Sequence, residues 1–268
     1  MATSALVSVS PLVPAQAGVD LDVPFITTPD TVVLAMLDLA KVGARDMVLD
    51  LGSGDGRIPI MAATRYGARA GGVELDPRLV ATSTSLAARA GVGQRVWFRQ
   101  QDLFETDLTE ASVITMYLLP DVNLKLRPRL LGLRPGTRIV SHDWDMGEWI
   151  ADQDITVPAP NKPVGRLKQA RLMLWVVPQD FSTMRSGTLH WAHEPGNPQP
   201  VEVKLRQRFQ IIEAGSITTS AGVAWEIVAG KVSAGLVELR MAAQAQRASV
   251  VGRSGPKGLE LRAVREPS

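Results

Sequence analysis

Three acidic side chains stand where short apolar runs end: Asp50 after Met47-Val48-Leu49, Glu74 after Val73, and Asp102 after Arg95-Val-Trp-Phe-Arg-Gln. The first is followed by a turn in which Gly52, Gly54 and Gly56 alternate with Ser53 and Asp55. Glycines at that spacing let the backbone turn tightly and put no Cβ between it and a ligand. An acid about twenty residues beyond such a turn suits the diol of a ribose, as in nucleotide-binding βαβ units. A pyrophosphate fits poorly. The dinucleotide fingerprint wants its third glycine where Arg57 stands, and Asp50 and Asp55 would repel phosphate. These residue types call for a ligand with a ribose and a positive or zwitterionic group.

Such side chains work together only if a scaffold gathers the strand ends. Thr28-Pro29 reads as an N-cap followed by proline at the first helical position. The helix it opens carries Val32, Val33, Met36, Leu37 and Ala40 at helical spacing and stops at Gly43. Ile58, Ile60, Met61 and Ala62 begin a second helix, so the glycine turn delivers its amides to a helix N-terminus. Asp76-Pro77 repeats the cap-and-proline device before a third helix running toward Gly91. Strands alternating with helices predict a doubly wound α/β sheet, whose strand ends line one crevice. Ser112 to Pro120 supply a fourth strand and its exit, and Arg138 to Asp143 a fifth. Ile155 to Val157 and Arg171 to Val177 read as an antiparallel pair, joined by a loop carrying Pro158, Pro160 and Pro163. From Phe181 the pattern changes to short runs parted by Gly, Pro, Asn or Ser, which predicts a small antiparallel sandwich or barrel. In the run Val201 to Phe209 the valines, Leu205 and Phe209 share one face, and Glu202, Lys204, Arg206 and Arg208 the other. The expected division is residues 22–180 and 181–268, with proteolysis starting in Pro178–Gly187 and residues 1–180 keeping the ligand site.

S-adenosylmethionine meets the ligand requirement with its sulfonium and amino-acid tail. Asp-Leu-Gly-Ser-Gly-Asp-Gly-Arg, Asp50 to Arg57, resembles the cofactor loop of class I S-adenosylmethionine-dependent methyltransferases. The resemblance implies a Rossmann-like sheet with the antiparallel pair at its far edge. It also implies a cofactor-binding set of Thr28, Asp50, Gly52, Ser53, Gly54, Asp55, Gly56, Glu74, Leu75, Asp102 and Leu103. Asp102 would contact the adenine amine, and Phe25 to Thr28 would fold over the cofactor. In this family the residues leaving the fourth strand face the methyl group. The Asn/Asp-Pro-Pro-Tyr of enzymes that methylate amino groups of nucleic acids and glutamine is not there. Tyr117-Leu-Leu-Pro120, with Val122-Asn-Leu-Lys-Leu-Arg-Pro128 and Pro135-Gly-Thr-Arg-Ile-Val-Ser-His142, is similar instead to the protein-lysine methyltransferases of archaea and mitochondria. Eukaryotic members of that group act on inner-membrane carriers and the ATP synthase c subunit. The similarity spans roughly Val23 to Trp149 and implies Tyr117 and Pro120 as the catalytic pair. His142 reads either as a structural residue at a strand end or as a proton relay.

Composition narrows the remaining classes. The chain is 45% hydrophobic and 21% charged, as soluble globular proteins are. It has no cysteine, hence neither a disulfide framework nor a cysteine zinc site. His190 and His193 would point to opposite faces of a strand, so no metal site is expected. Residues 1–180 hold 18 basic and 20 acidic side chains and residues 181–268 hold 11 and 7, too slight an imbalance to imply nucleic acid. The Lys204-Arg206-Arg208 strip reads as a solvated face, with contact to an acidic membrane or protein surface the weaker alternative. Residues 1–21 read as a disordered tail or a remnant signal peptide, since Ala15-Gln16-Ala17 has the form of a cleavage site but no basic region precedes Ala5 to Val13. A cofactor made and used in the cytosol places the chain in the cytoplasm, or outside it if the signal is real. No run approaches the ~18 apolar residues of a membrane span. The function expected is methyl transfer to a lysine amine of an acceptor protein. A small-molecule O- or N-methyltransferase and a non-catalytic cofactor-binding scaffold are the alternatives.

Overall fold

A computed structural model describes residues 26–256 and 258–267, so the expectations for residues 1–21 and for Phe25 lie outside the described residues. Strand β1 (Met47–Leu51) is buried along its whole length, as a continuous apolar run inside a parallel sheet must be. It lies parallel to β2 (Arg69–Glu74) on one side and β4 (Val113–Met116) on the other. With β3 (Val96–Gln100), β5 (Arg138–His142), β6 (Gln153–Pro158) and β7 (Gln169–Val176) they form one sheet of order β3-β2-β1-β4-β5-β7-β6. The last two strands are antiparallel, at the edge where the resemblance put them.

Helices cover both faces. Helices α1 (Asp30–Leu39), α2 (Arg57–Tyr66) and α3 (Pro77–Arg89) set Val32, Met36, Ile58, Ala62 and Ala87 against Val48, Val113 and Val140. On the other face α4 (Pro120–Leu131) sets Val122, Leu126 and Leu130 against Leu49, Ile114 and Ile139. Strand order reverses between β1 and β4, so the crevice beyond their C-terminal ends is the natural ligand position. Two local expectations need correction. Thr28 does not cap α1: Pro29 is the N-cap, Asp30 the first helical residue, and no side chain caps it. Helix α4 was not anticipated, because Pro128 interrupts its pattern and yet sits inside the helix. Asp76 does cap α3, its carboxylate accepting from Arg78 N at 2.9 Å.

The remaining strands, β8 (Ser186–Trp191), β9 (Gln199–Arg208), β10 (Ile211–Thr219), β11 (Ala224–Ser233), β12 (Leu236–Ala243), β13 (Gln246–Gly255) and β14 (Gly258–Arg265), close into a barrel. Its one parallel seam joins β14 to β8. Phe181, Leu189, Val203, Ile217, Val232 and Leu261 fill the interior. The basic strip on β9 is internally neutralised, since Lys204 meets Glu202 at 2.9 Å and Arg206 meets Glu213 at 3.3 Å. No helix among the described residues is long and apolar enough to cross a membrane.

Phe209 departs from expectation in an informative way. Rather than facing the barrel interior, it occupies the tight turn after β9 with φ +53, and its ring stacks on Trp149 with centroids 6.2 Å apart. It therefore packs with the α/β unit's own core, beside Trp149 and Trp175. Arg208–Glu148 at 2.5 Å, Lys231–Asp152 at 3.3 Å and Gln210 Nε2 donating to Ile150 O at 2.6 Å surround it. A bulky residue in the left-handed region is costly, so packing must hold it there. Phe209→Ala should destabilise the α/β unit by about 3 kcal/mol, the low end for phenylalanine truncation because the ring is only partly buried. The check is urea unfolding, and a fragment of residues 1–180 should bind cofactor but melt lower by a comparable amount.

Candidate active site

The turn after β1 is built from left-handed glycines, with φ +76 at Gly52, +53 at Gly54 and +79 at Gly56. Gly52 N and Ser53 N both donate to Val73 O, at 3.0 and 2.9 Å, which pins the turn to the end of β2. Gly54 N donates to Glu74 Oε2 at 3.0 Å, while Leu75 N and Asp76 N donate to Oε1 at 2.8 and 3.1 Å. Three amides thus aim one carboxylate. It lines a cleft that opens to solvent beyond the ends of β1, β2 and β4. Thr28, Asp50, Gly52, Ser53, Gly54, Asp55, Glu74, Leu75, Asp102, Leu103 and Tyr117 all line it.

Two residues of the expected set do not. Gly56 lies behind the turn as the N-cap of α2, where a Cβ would stand 2.4 Å from the Phe98 ring and 2.6 Å from Ser83 Cβ. Its glycine serves packing. Pro120 opens α4 and does not line the cleft.

The charge in the cleft differs from a count of its acids. Asp55 is engaged by Arg57, whose Nε lies 2.9 Å from Oδ1 and whose Nη2 lies 2.5 Å from Oδ2. Arg57 also donates to Thr28 O at 2.8 Å, clamping the segment before α1 over the glycine turn. The sequence reading placed Arg57 at the end of the loop motif and gave its side chain no partner; the acids at Asp30 and Asp55 were the available signal. Asp50 is buried and accepts from Thr115 Oγ1 at 2.7 Å. Burial pushes its carboxyl up to about 7, opposed by the Thr115 hydroxyl and reinforced by Glu74 and Asp55. Ser53 Oγ is buried with no hydrogen-bond partner.

These features fit S-adenosylmethionine. An orphaned hydroxyl, an aimed carboxylate for a diol and a buried acid for a cationic group are the donor and acceptor types it requires. Asp102 contributes a shaped edge: its Oδ1 accepts from Phe104 N at 2.7 Å, holding the turn with Leu103 and Phe104 on the cleft wall. If Asp50 faces the cofactor's cationic end, affinity should strengthen as pH rises from about 6 to about 7.5, before the cofactor's own amine titrates near 8. Calorimetric titration across that range checks it, and Asp50→Asn should flatten the dependence.

Tyr117 marks the other end. Its ring stacks on His142 with centroids 3.9 Å apart and 27° between planes, and its hydroxyl donates to Asp143 Oδ2 at 3.2 Å. Burial and the Asp143 charge raise its phenol above the ordinary value. His142 is buried, with Nδ1 3.1 Å from Thr28 Oγ1. Burial pushes it down to about 4, only partly offset by Asp143. It is a neutral, structural ring at physiological pH. The proton-relay reading has no support in this geometry. Among the described residues no group of three metal-ligating side chains occurs.

Comparison with known proteins agrees with this geometry. The profile of the ANTKMT methyltransferase domain matches residues 50–153. A protein-lysine N-methyltransferase of Saccharolobus islandicus is 41% identical over 141 residues, 52% of this chain and 88% of that protein. The adenine nucleotide translocase lysine N-methyltransferase of Mus musculus is 35% identical over 131 residues, 48% of this chain, which spans only 56% of the mouse protein. A crystal structure described as an RNA methyltransferase from Salinibacter ruber, holding S-adenosyl-L-homocysteine, superposes with a TM-score of 0.52 at 48% identity. That alignment covers 58% of this chain and 95% of the other.

Proposed function

The chain belongs to the S-adenosylmethionine-dependent methyltransferases that carry the ANTKMT methyltransferase domain, and on that premise we propose that it methylates the ε-amine of a lysine in an acceptor protein. The observation that carries this reading is the exit of β4. It brings Tyr117 to the wall of the cofactor cleft with its hydroxyl turned away, toward Asp143. An aromatic ring there presents a π-face, which attracts an amine as it gains charge, and the carbonyls leaving β4 accept its hydrogens.

When bound, S-adenosylmethionine supplies an electrophilic methyl on a sulfonium that departs as a neutral thioether, so no acid is needed to expel it. The chain's residues supply alignment, an effect worth ~7–11 kcal/mol where geometry is right. Glu74, Asp50 and the glycine turn fix the donor end, and Tyr117 fixes the acceptor end. The lysine must arrive neutral, against a reference value of about 10.4, and the apolar wall of Leu118 and Val122 favours that form by desolvation. Neither neighbouring side chain takes the proton. Tyr117 is raised and His142 lowered and buried, so the proton leaves to water.

The Salinibacter structure's description supports a second acceptor, RNA. The charge balance weighs against it here, because residues 1–180 carry 20 acids against 18 bases. Whole-cell extract incubated with the full chain and methyl-labelled cofactor separates the readings. Label should be protease-sensitive and ribonuclease-resistant, and hydrolysis should yield methyl-lysine. Label confined to RNA or to extractable metabolites would overturn the lysine reading in favour of those acceptors.

A further inference from the structure

Behind Tyr117 stands a charged cluster outside the cofactor cleft. Asp143 Oδ2, which accepts from the Tyr117 hydroxyl at 3.2 Å, also takes the ammonium of Lys162. That lysine is only 6% exposed, and its Nζ donates again to Gln169 O at 2.9 Å. The other carboxylate oxygen accepts from Arg171 N at 3.2 Å and lies 3.6 Å from His142 Nε2. Burial alone would raise the Asp143 carboxyl, but the Lys162 ammonium and the Arg171 amide hold it below its ordinary value. It stays an anion.

The backbone under this carboxylate is unusual. Asp143 has φ +64, and Trp144 N donates to His142 O, two residues back, at 2.9 Å. Positive φ with such a bond marks the strained form of γ-turn. Strain of this kind persists only where neighbours over-determine it, and it gathers at functional positions. A buried lysine needs a reason too, since apolar side chains usually replace a buried ion pair without loss of stability. The cluster also reaches the cofactor side: His142 meets Thr28 Oγ1, and Arg57 holds the Thr28 carbonyl.

We infer that Asp143, held in place by Lys162, is the positioning residue that fixes the Tyr117 ring for methyl transfer, tying the phenol hydroxyl away from the acceptor's path. The inference rests on the reading that Tyr117 lines that path and extends it to two residues that do not line the cleft. Lys162 sits in a proline-rich loop, nineteen residues beyond Asp143, where no local pattern marks it.

The pair variant Asp143→Ala with Lys162→Met removes both charges together, leaving no unpaired buried ion. Cofactor affinity should stay within about twofold, since neither residue lines the cleft. The turnover number should fall about tenfold, the scale of one lost hydrogen bond, with little change in the acceptor's KM. In a Tyr117→Phe background the same pair change should add nothing further, because the bond it acts through is gone. A merely structural role would instead multiply with Tyr117→Phe, and that result overturns the inference. An acceptor-independent readout comes from the chain's two tyrosines. With Tyr66→Phe, ring-labelled tyrosine NMR reports Tyr117 alone. Its signal, shifted by the His142 ring, should move toward the free value in the pair variant, and a signal that stays put counts equally against the proposal. If the pair variant does not fold, Asp143→Gly with Lys162→Met carries the same two measurements, since glycine adopts φ +64 without strain. Failure of the lysine reading looks different: no methyl-lysine forms while the NMR shift responds as described.

Discussion

Gly54→Val should abolish cofactor binding while leaving the chain folded. Gly54 sits at φ +53 on the cleft wall, and its amide is one of three that aim Glu74. A β-branched residue disfavours that conformation by roughly 1–2 kcal/mol. To relieve it the peptide must rotate, which takes the amide off the carboxylate and brings two methyl groups into the cleft. The sheet below loses nothing, because β1 ends at Leu51. Glu74→Ala probes the same unit from the other side. It strips the acceptor from three amides and from the ribose, at roughly 1.5–3 kcal/mol for each charge-assisted bond to the ligand. Affinity should therefore drop by one to two powers of ten or more. Calorimetry with parallel thermal melts reads both variants, and wild-type affinity in both would remove the cofactor assignment.

The part of this site that was legible in the sequence is the part built from contiguous backbone. Asp50 to Gly56 announces itself because a strand end, a glycine turn and a helix start are local events, and Glu74 lies at the next strand end. The alternation of apolar runs with capped helices likewise disclosed the sheet, since burial between two helix layers demands it. What stayed hidden depends on long-range side-chain partners. Arg57 meets Asp55 two residues away, but its purpose is the Thr28 carbonyl, 29 residues back. Lys162 finds Asp143 only once β6 and β7 fold back beside β5. Phe209 continued an alternating strand pattern and so was assigned inward, although a two-residue turn carries it out to Trp149. Strands β10 and β13 carry a weak sequence signal because Gly, Ser and Gln dilute their apolar positions.

Tyr117→Ala should lose at least about a hundredfold in turnover, whereas Tyr117→Phe should stay within about tenfold of wild type, a single hydrogen bond's worth. The difference separates the ring from its hydroxyl. The ring walls the approach to the methyl group and is clamped from behind by His142 at 3.9 Å; alanine leaves a gap into which the acceptor amine relaxes, and misplacement of about 1 Å costs on the order of a hundredfold. The hydroxyl only anchors the ring to Asp143. The pH profile tests the same assignment independently. With cofactor saturating, the titration of Asp50 near 7 drops out of the rate. His142, held near 4, and Tyr117, raised above the ordinary phenol, leave no side chain at the acceptor end to titrate between about 7 and 9. At acceptor concentrations well below KM the rate should then rise tenfold per pH unit over that range, following the free lysine's deprotonation toward about 10.4. His142→Ala should lower the melting temperature and leave that slope intact. A plateau near pH 7 that disappears in His142→Ala would instead make the histidine the base, and the Tyr117 ring would lose its place as the wall of a solvent-deprotonated amine.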